Sequence, residues 1–281
     1  MNANDLEALS AWVGRQERCE AVLTGQMLQA YRATLGPHLF EQEGCVPPGL
    51  HWCLAPTTAA AGMAELDVDG HPRRGGFLPP VPLPRRMWAG GEVNSLAPLR
   101  IDEVIERVST IRDLRFKEGR SGALCFVTVE HELACGGTLA IRERQDIVYR
   151  DAATAGAAPV EAGVPREGQL QHLVETPPTL LMRYSALTFN AHRIHYDLPY
   201  ATQEEGYAGL VVHGPLQASL LFNLAARQAG RVPGRFRYRG LAPLIAGRPC
   251  RIAVSEDQEN GGLQAWTQDA DNRLNMEASA Q

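Results

Sequence analysis

The chain has 281 residues, 44% of them hydrophobic and 21% charged, with a formal net charge of −5. That length suits two domains or one duplicated domain, and the composition is that of a chain with a sizeable core rather than a disordered one. The acidic balance excludes a generic nucleic-acid binder, and 27 Gly and 19 Pro beside 6% aromatics favour short elements joined by turns over a bundle of long helices.

The N-terminus shows no basic segment followed by an apolar run, so no secretory signal is expected. Residues 1–36 read as helical. Asp5 suits the cap of a helix carrying Leu6, Leu9 and Val13. Val22, Leu23, Met27, Tyr31 and Leu35 mark a second helix, stopped by Gly36-Pro37. Residues 44–91 are rich in Pro and Gly and read as a long, ordered loop holding His51, Trp52, Arg85, Arg86 and Trp88. Its uncharged part, Gly44 to Ala64, is interrupted by prolines and does not suit a membrane span.

From 92 to 150 the pattern is that of strands. Cys125, Val127, Val129 and Leu133 alternate with Phe126, Thr128, Glu130 and Glu132, with His131 on the inner register. Gly136-Gly137 predicts a hairpin turn. Residues 151–167 lack periodicity and read as a linker between a unit at 1–150 and a second at 168–281. The second unit begins with an apolar strand near 178–189 and a loop rich in His and Asn. A helix follows over about 215–229, with Leu216, Leu220 and Leu224 on one stripe and Gly230 to close it. Short strands are expected near 235–240, 249–256, 262–268 and 272–278.

Two further features concern the whole chain. Ser95-Leu96-Ala97-Pro98-Leu99 is echoed by Gly240-Leu241-Ala242-Pro243-Leu244, each between strand patterns, which points to duplication of one fold. The six cysteines include no Cys-x-x-Cys and read as reduced thiols of a cytoplasmic protein. No metal site is expected.

The densest polar cluster is Asn190-Ala191-His192-Arg193-Ile194-His195-Tyr196-Asp197, followed by Val212-His213-Gly214-Pro215-Leu216. Together these resemble the MaoC-type hydratases and dehydratases of the hot-dog fold. The stretch Asp69-Gly70-His71-Pro72 through Leu83-Pro84-Arg85-Arg86-Met87-Trp88-Ala89-Gly90-Gly91 narrows the likeness to the hydroxyacyl-thioester dehydratase type 2 branch, which includes mesaconyl-C4-CoA and itaconyl-CoA hydratases. The resemblance implies an α+β double hot-dog chain, with a degenerate N-terminal half, a catalytic C-terminal half, and further homodimerisation. It implies water addition to a short dicarboxylic enoyl-CoA, giving a 3-hydroxyacyl-CoA such as citramalyl-CoA. His195 falls on the family's catalytic His. Asn190 falls where the family pattern has a catalytic Asp.

The chemistry can be read residue by residue. A histidine suits proton transfer at neutral pH, which fits His195. An amide cannot accept a proton, so Asn190 is expected to position water. The start of the helix after His213 offers free N–H groups for an oxyanion, and Pro215 has none, so Gly214 and Leu216 are the expected donors. Arg235, Arg237 and Arg239 form one basic strand face suited to CoA phosphates. Arg86 and Arg193, with Arg85 and Arg183 behind them, are candidates for a substrate carboxylate, and His192 and His213 for the site wall. Asp197 reads as a helix cap. Hydration of an activated thioester calls for no metal or cofactor beyond the CoA of the substrate. Two other readings use the same residues: a 3-hydroxyacyl-ACP dehydratase, which would need a long apolar acyl tunnel, and a non-catalytic acyl-CoA-binding protein.

Overall fold

A computed structural model describes residues 8–54, 56, 62–119, 122–151, 162–259 and 261–281. Among these residues, ten antiparallel strands form one sheet. The first five are β1 (Gln16–Val22), β2 (Arg85–Ser95), β3 (Val104–Gly119), β4 (Gly122–Cys135) and β5 (Thr138–Arg150). The second five are β6 (Leu170–Val174), β7 (Arg235–Gly240), β8 (Cys250–Glu256), β9 (Leu263–Gln268) and β10 (Leu274–Ala280). Their order is β1-β3-β4-β5-β2-β7-β10-β9-β8-β6. The N-terminal five strands therefore meet the C-terminal five at a single joint, β2 against β7, in register from Gly90↔Arg239 to Asn94↔Arg235.

The repeat is a local symmetry at this joint. Each copy leaves the end of a joint strand. The N–H groups of Leu96 and Ala97 both donate to the carbonyl of Ala140, and those of Leu241 and Ala242 both donate to that of Asn275. The same residues make the same forked contact in each half.

Among the fully described elements, three α-helices pack on the sheet: α1 (Gly25–Leu35), α2 (Pro178–Thr188) and α3 (Gly214–Ala229). In α3, eleven residues from Leu216 to Ala226 are buried, and Gly230 closes it at φ 67°. A helix buried nearly all round is a core helix, and the C-terminal strands wrap it. Asn223 in this helix ties the halves together. Its Nδ2 donates to the carbonyl of Pro48 at 2.8 Å and its Oδ1 accepts from Phe40 N at 2.9 Å. One hydrophobic cluster runs from Leu23 and Tyr31 through Val93 and Leu216 to Ala280. A second packs Val81 and Leu83 of the long loop on Ile111, Val127 and Tyr149.

Three expected elements change. Residues 16–22 form a strand, and the helix begins at Gly25, capped by Thr24. Polar Gln16, Arg18 and Glu20 on the outer side of an edge strand imitate the polar face of a helix; pairing with β3 decides the matter. The loop read as extending to 91 ends at Arg85, where β2 begins. The apolar segment near 178–189 is helix α2, entered at Pro178 and closed by Phe189 at φ 51°. Asp5 and most of the segment read as a linker lie outside the described residues, and 162–168 run beside β8–β10, with Gly163 N donating to Asp271 O.

Candidate active site

The site begins where α2 ends. Phe189 turns the chain, and the Asn190 N–H donates to Ser185 O at 2.9 Å. The Asn190 side-chain oxygen accepts from His192 N at 3.0 Å, closing a short Asx turn. A 3-10 turn over Arg193–His195 then presents His195. Its Nδ1 lies 2.7 Å from the carbonyl oxygen of Val211. A carbonyl only accepts, so Nδ1 carries the hydrogen and Nε2 is left bare. Burial lowers the pKa of His195 to about 4, against the smaller opposing effect of the Val211 bond. The ring is therefore neutral at pH 7 and is an acceptor at Nε2.

The other half supplies a loop that docks on this turn. The Arg193 N–H donates to Asp69 O at 2.9 Å and its guanidinium to Val68 O at 3.0 Å. Gly70 has φ +89°, and a Cβ there would sit 1.9 Å from Ala191 O, so only glycine fits. The loop brings His71 to a ring distance of 4.2 Å from His192, which lies 5.5 Å from His195. Asp69 Oδ2 and His71 Nδ1 are 3.0 Å apart. Burial raises the Asp69 carboxyl, but the bond to His71 and the charges of His71 and Arg86 hold it well below the usual carboxylate range. Burial also lowers His71 to about 4 and His192 further.

These groups face a cavity of about 370 Å³, within the usual range for small-molecule sites. His71, His192, His195, Asn190, Arg86 and Gly214 are on its wall, together with Trp52, Arg107, Gln145 and Tyr184. No Asp or Glu is among the described residues of that wall. Trp52 is held by buried Glu143, which accepts from its indole N–H at 2.7 Å and from Gln145 and Tyr238. Trp88 stacks on Tyr238 at 4.3 Å and fills the space beside Gly214, where a Cβ would lie 2.7 Å from its ring.

Several expected site residues stand elsewhere. His213 is fully buried behind His195, its ring stacked at 3.6 Å and its Nε2 2.8 Å from Ser185 Oγ; it supports the site and is not on the cavity wall. Arg193 is engaged by Asp197, by Val68 and by the face of Tyr200. Asp197 also caps the following turn by accepting from Tyr200 N at 3.1 Å. Arg85 pairs with Glu205, and Arg183 donates to Ala33 O on the outside of α2. Of the four candidates for a substrate carboxylate, Arg86 alone stands on the wall. Leu216 is buried off the wall, whereas Gly214, at the start of α3, is on it.

The arginine strip on β7 is likewise not in the cavity. Arg235 and Arg237 both pair with Glu92 across the joint, and Arg239 lies 3.6 Å from Glu277. Burial pushes Glu92 up, but these arginine bonds and Asn94 bring it to about 2. The basic face is present as expected, but its charge is largely answered within the sheet.

Residues 49–246 match the hydroxyacyl-thioester dehydratase type 2 family. The chain belongs to that family. Over 258 residues it is 43% identical to the mesaconyl-C(4)-CoA hydratase of Chloroflexus aurantiacus, covering 91% of each chain. Among solved structures, a MaoC-like dehydratase superposes with TM-score 0.70 at 13% identity, over 97% of this chain and 98% of the other. A Mycobacterium tuberculosis protein described as a double hotdog superposes with TM-score 0.60 at 12% identity, over 95% of this chain and 96% of the other. The fold is the α+β double hot dog, and this member of the family is a hydratase or dehydratase.

Sequence reasoning did not single out Asp69, His71, Trp52, Arg107, Gln145 or Tyr184 as site residues. Asp69, His71 and His192 bring three donor atoms within 4.8 Å of one another. Two of the three come from a loop more than a hundred residues from the third, and no spacing rule reports such a meeting. The Asp-x-His spacing within the loop was the available signal.

Proposed function

We propose that the chain hydrates a short dicarboxylic enoyl-CoA, of the mesaconyl-C4-CoA or itaconyl-CoA type, to a 3-hydroxyacyl-CoA such as citramalyl-CoA. One observation carries the reading. A bare histidine nitrogen and an arginine share a cavity whose described wall holds cations and no carboxylate. Such a wall favours an acyl group bearing a negative charge. The 43% identical relative named for mesaconyl-C(4)-CoA supports the same substrate class.

In this reading water lies against Nε2 of His195. Asn190 has spent its oxygen on His192 N, so its NH2 remains to donate to the water oxygen. The water proton passes to His195 as the oxygen bonds to the β-carbon. The π pair moves toward the thioester oxygen, which meets the Gly214 N–H at the positive end of α3. The proton on His195 then passes to the α-carbon. Arg86 holds the second carboxylate. An ACP dehydratase with a long apolar tunnel fits the cavity less well, because Arg86, Arg107 and Gln145 are on its wall. The same reading has a homodimer working in the cytoplasm without metal or cofactor, in keeping with six free cysteines.

Arg86 provides the test. Losing one partner of a part-buried charge pair costs about 2–5 kcal/mol. Arg86→Met is expected to lower kcat/KM for mesaconyl-C4-CoA by ~10²-fold or more and to leave crotonyl-CoA, which has no second carboxylate, within threefold. Equal losses on both substrates would remove Arg86 from carboxylate recognition.

A further inference from the structure

His195 has an electrostatic difficulty. It must carry a proton during the reaction, yet its Nδ1 partner is a neutral carbonyl and its ring stacks on His213, itself fully buried. Among the described residues, no carboxylate is in contact with a cation formed there. Asn190 is an amide, and the described cavity wall has no Asp or Glu. The nearest row of rings runs from His195 through His192 to His71, and Asp69 closes that row at 3.0 Å from His71. The carboxylate reaches the cluster only because Gly70 lets its loop touch Ala191.

We propose that Asp69 and His71 are positioning residues for hydration, supplying from the N-terminal half the countercharge for the proton that His195 carries. The inference rests on the hydratase reading. The step balances as written for that reading: the proton leaves water for Nε2 of His195 and returns to the α-carbon. Asp69 stays ionised throughout. Its charge acts across His71 and His192, and the His71 Nδ1–H holds it in place. The opposing groups around His71 are Arg86, Arg74 and the neutral His192; around His195 they are His192, His213 and His71. Among the described residues, Asp69 is the negative group brought to His71. The successive gaps of 3.0, 4.2 and 5.5 Å along the row put the carboxylate on the order of 10 Å from His195, where at an effective dielectric near 20 a unit charge is worth roughly 1.5 kcal/mol, or about a tenfold change in rate.

The test is Asp69→Asn, which preserves shape and keeps one of the two oxygens that Asp69 turns to the backbone N–H and Nδ1 of His71. The expected result is an about tenfold lower kcat for mesaconyl-C4-CoA with KM within threefold. The acidic limb of the kcat profile should move to lower pH, because the histidine proton is held less tightly. Adding Asn190→Asp should restore most of that loss, since it places a carboxylate on the same wall. His71→Gln should resemble Asp69→Asn. A kcat within threefold of wild type would overturn the proposal, as would a loss of kcat with no movement of the acidic limb, which is the mark of a packing role. Loss of wild-type activity on EDTA treatment would also overturn it, assigning Asp69, His71 and His192 to an ion. A wild type that hydrates crotonyl-CoA but not mesaconyl-C4-CoA would overturn only the substrate reading, with the variants then compared on crotonyl-CoA. A wild type that hydrates neither would overturn both.

Discussion

His195→Gln is expected to lower kcat for hydration by about 10²- to 10⁴-fold, the usual contribution of a placed acid–base group. KM should stay within a few-fold. The Val211 carbonyl fixes the tautomer, and His213 stacked at 3.6 Å fixes the ring plane, so the free protein already presents a bare Nε2 to the cavity. Little of that arrangement is used in holding CoA or the acyl carboxylate. The loss should therefore fall on the transition state, which is read as a fall in kcat and kcat/KM together. Circular dichroism and the thermal midpoint show whether the variant folds. A folded variant with kcat within tenfold of wild type would exclude His195 as the proton acceptor.

The second large effect is on stability against acid. Burial depresses His71 and His195 to about 4 and His51 to about 3, with His192, His131 and His213 also lowered. The unfolded chain takes up these protons near pH 6.5, whereas the folded chain resists them until much lower pH. The stability from keeping the six rings neutral is complete above 6.5 and is lost as pH falls toward 4. Each ring contributes a slope of up to about 1.4 kcal/mol per pH unit. Six rings acting together would exhaust a typical 5–15 kcal/mol of stability near pH 5. Asp69 and Glu92 add to the loss only below the ordinary carboxylate range, and Glu143 and Glu17, raised by burial, oppose it in part. Urea midpoints followed by circular dichroism from pH 8 to 4.5 are expected to fall steeply below 6.5, with unfolding in buffer near pH 5. A flat midpoint down to pH 4.5 would show that these histidines are not buried neutral.

Local signals carried much of the fold. The β4–β5 hairpin was legible because alternation ran up to Gly136 and Gly137, which take φ 56° and 78° at the turn. Helix α3 was legible from its leucine stripe, and the duplication from five residues that leave the joint strands in the same way. Strand β1 was not, because its partner β3 begins about eighty residues later and its own pattern is polar. In the site, His195, Asn190 and Gly214 lie within one short segment, and the sequence places them near each other. Their partners Asp69, His71 and Arg107 arrive from the other half through loop docking and sheet pairing. The β7 arginines show the converse limit. Strand periodicity reveals that Arg235 and Arg237 share a face, but not that Glu92 stands beside them on the neighbouring strand.

The central claim is that this cavity hydrates a dicarboxylic enoyl-CoA. The most direct measurement offers the wild-type protein mesaconyl-C4-CoA and crotonyl-CoA in one reaction and follows each hydrated product by its mass. The expected result is citramalyl-CoA as the main product, with kcat/KM for mesaconyl-C4-CoA at least ~10²-fold above that for crotonyl-CoA, the discrimination a buried arginine–carboxylate pair provides. Equal or faster hydration of crotonyl-CoA would contradict it.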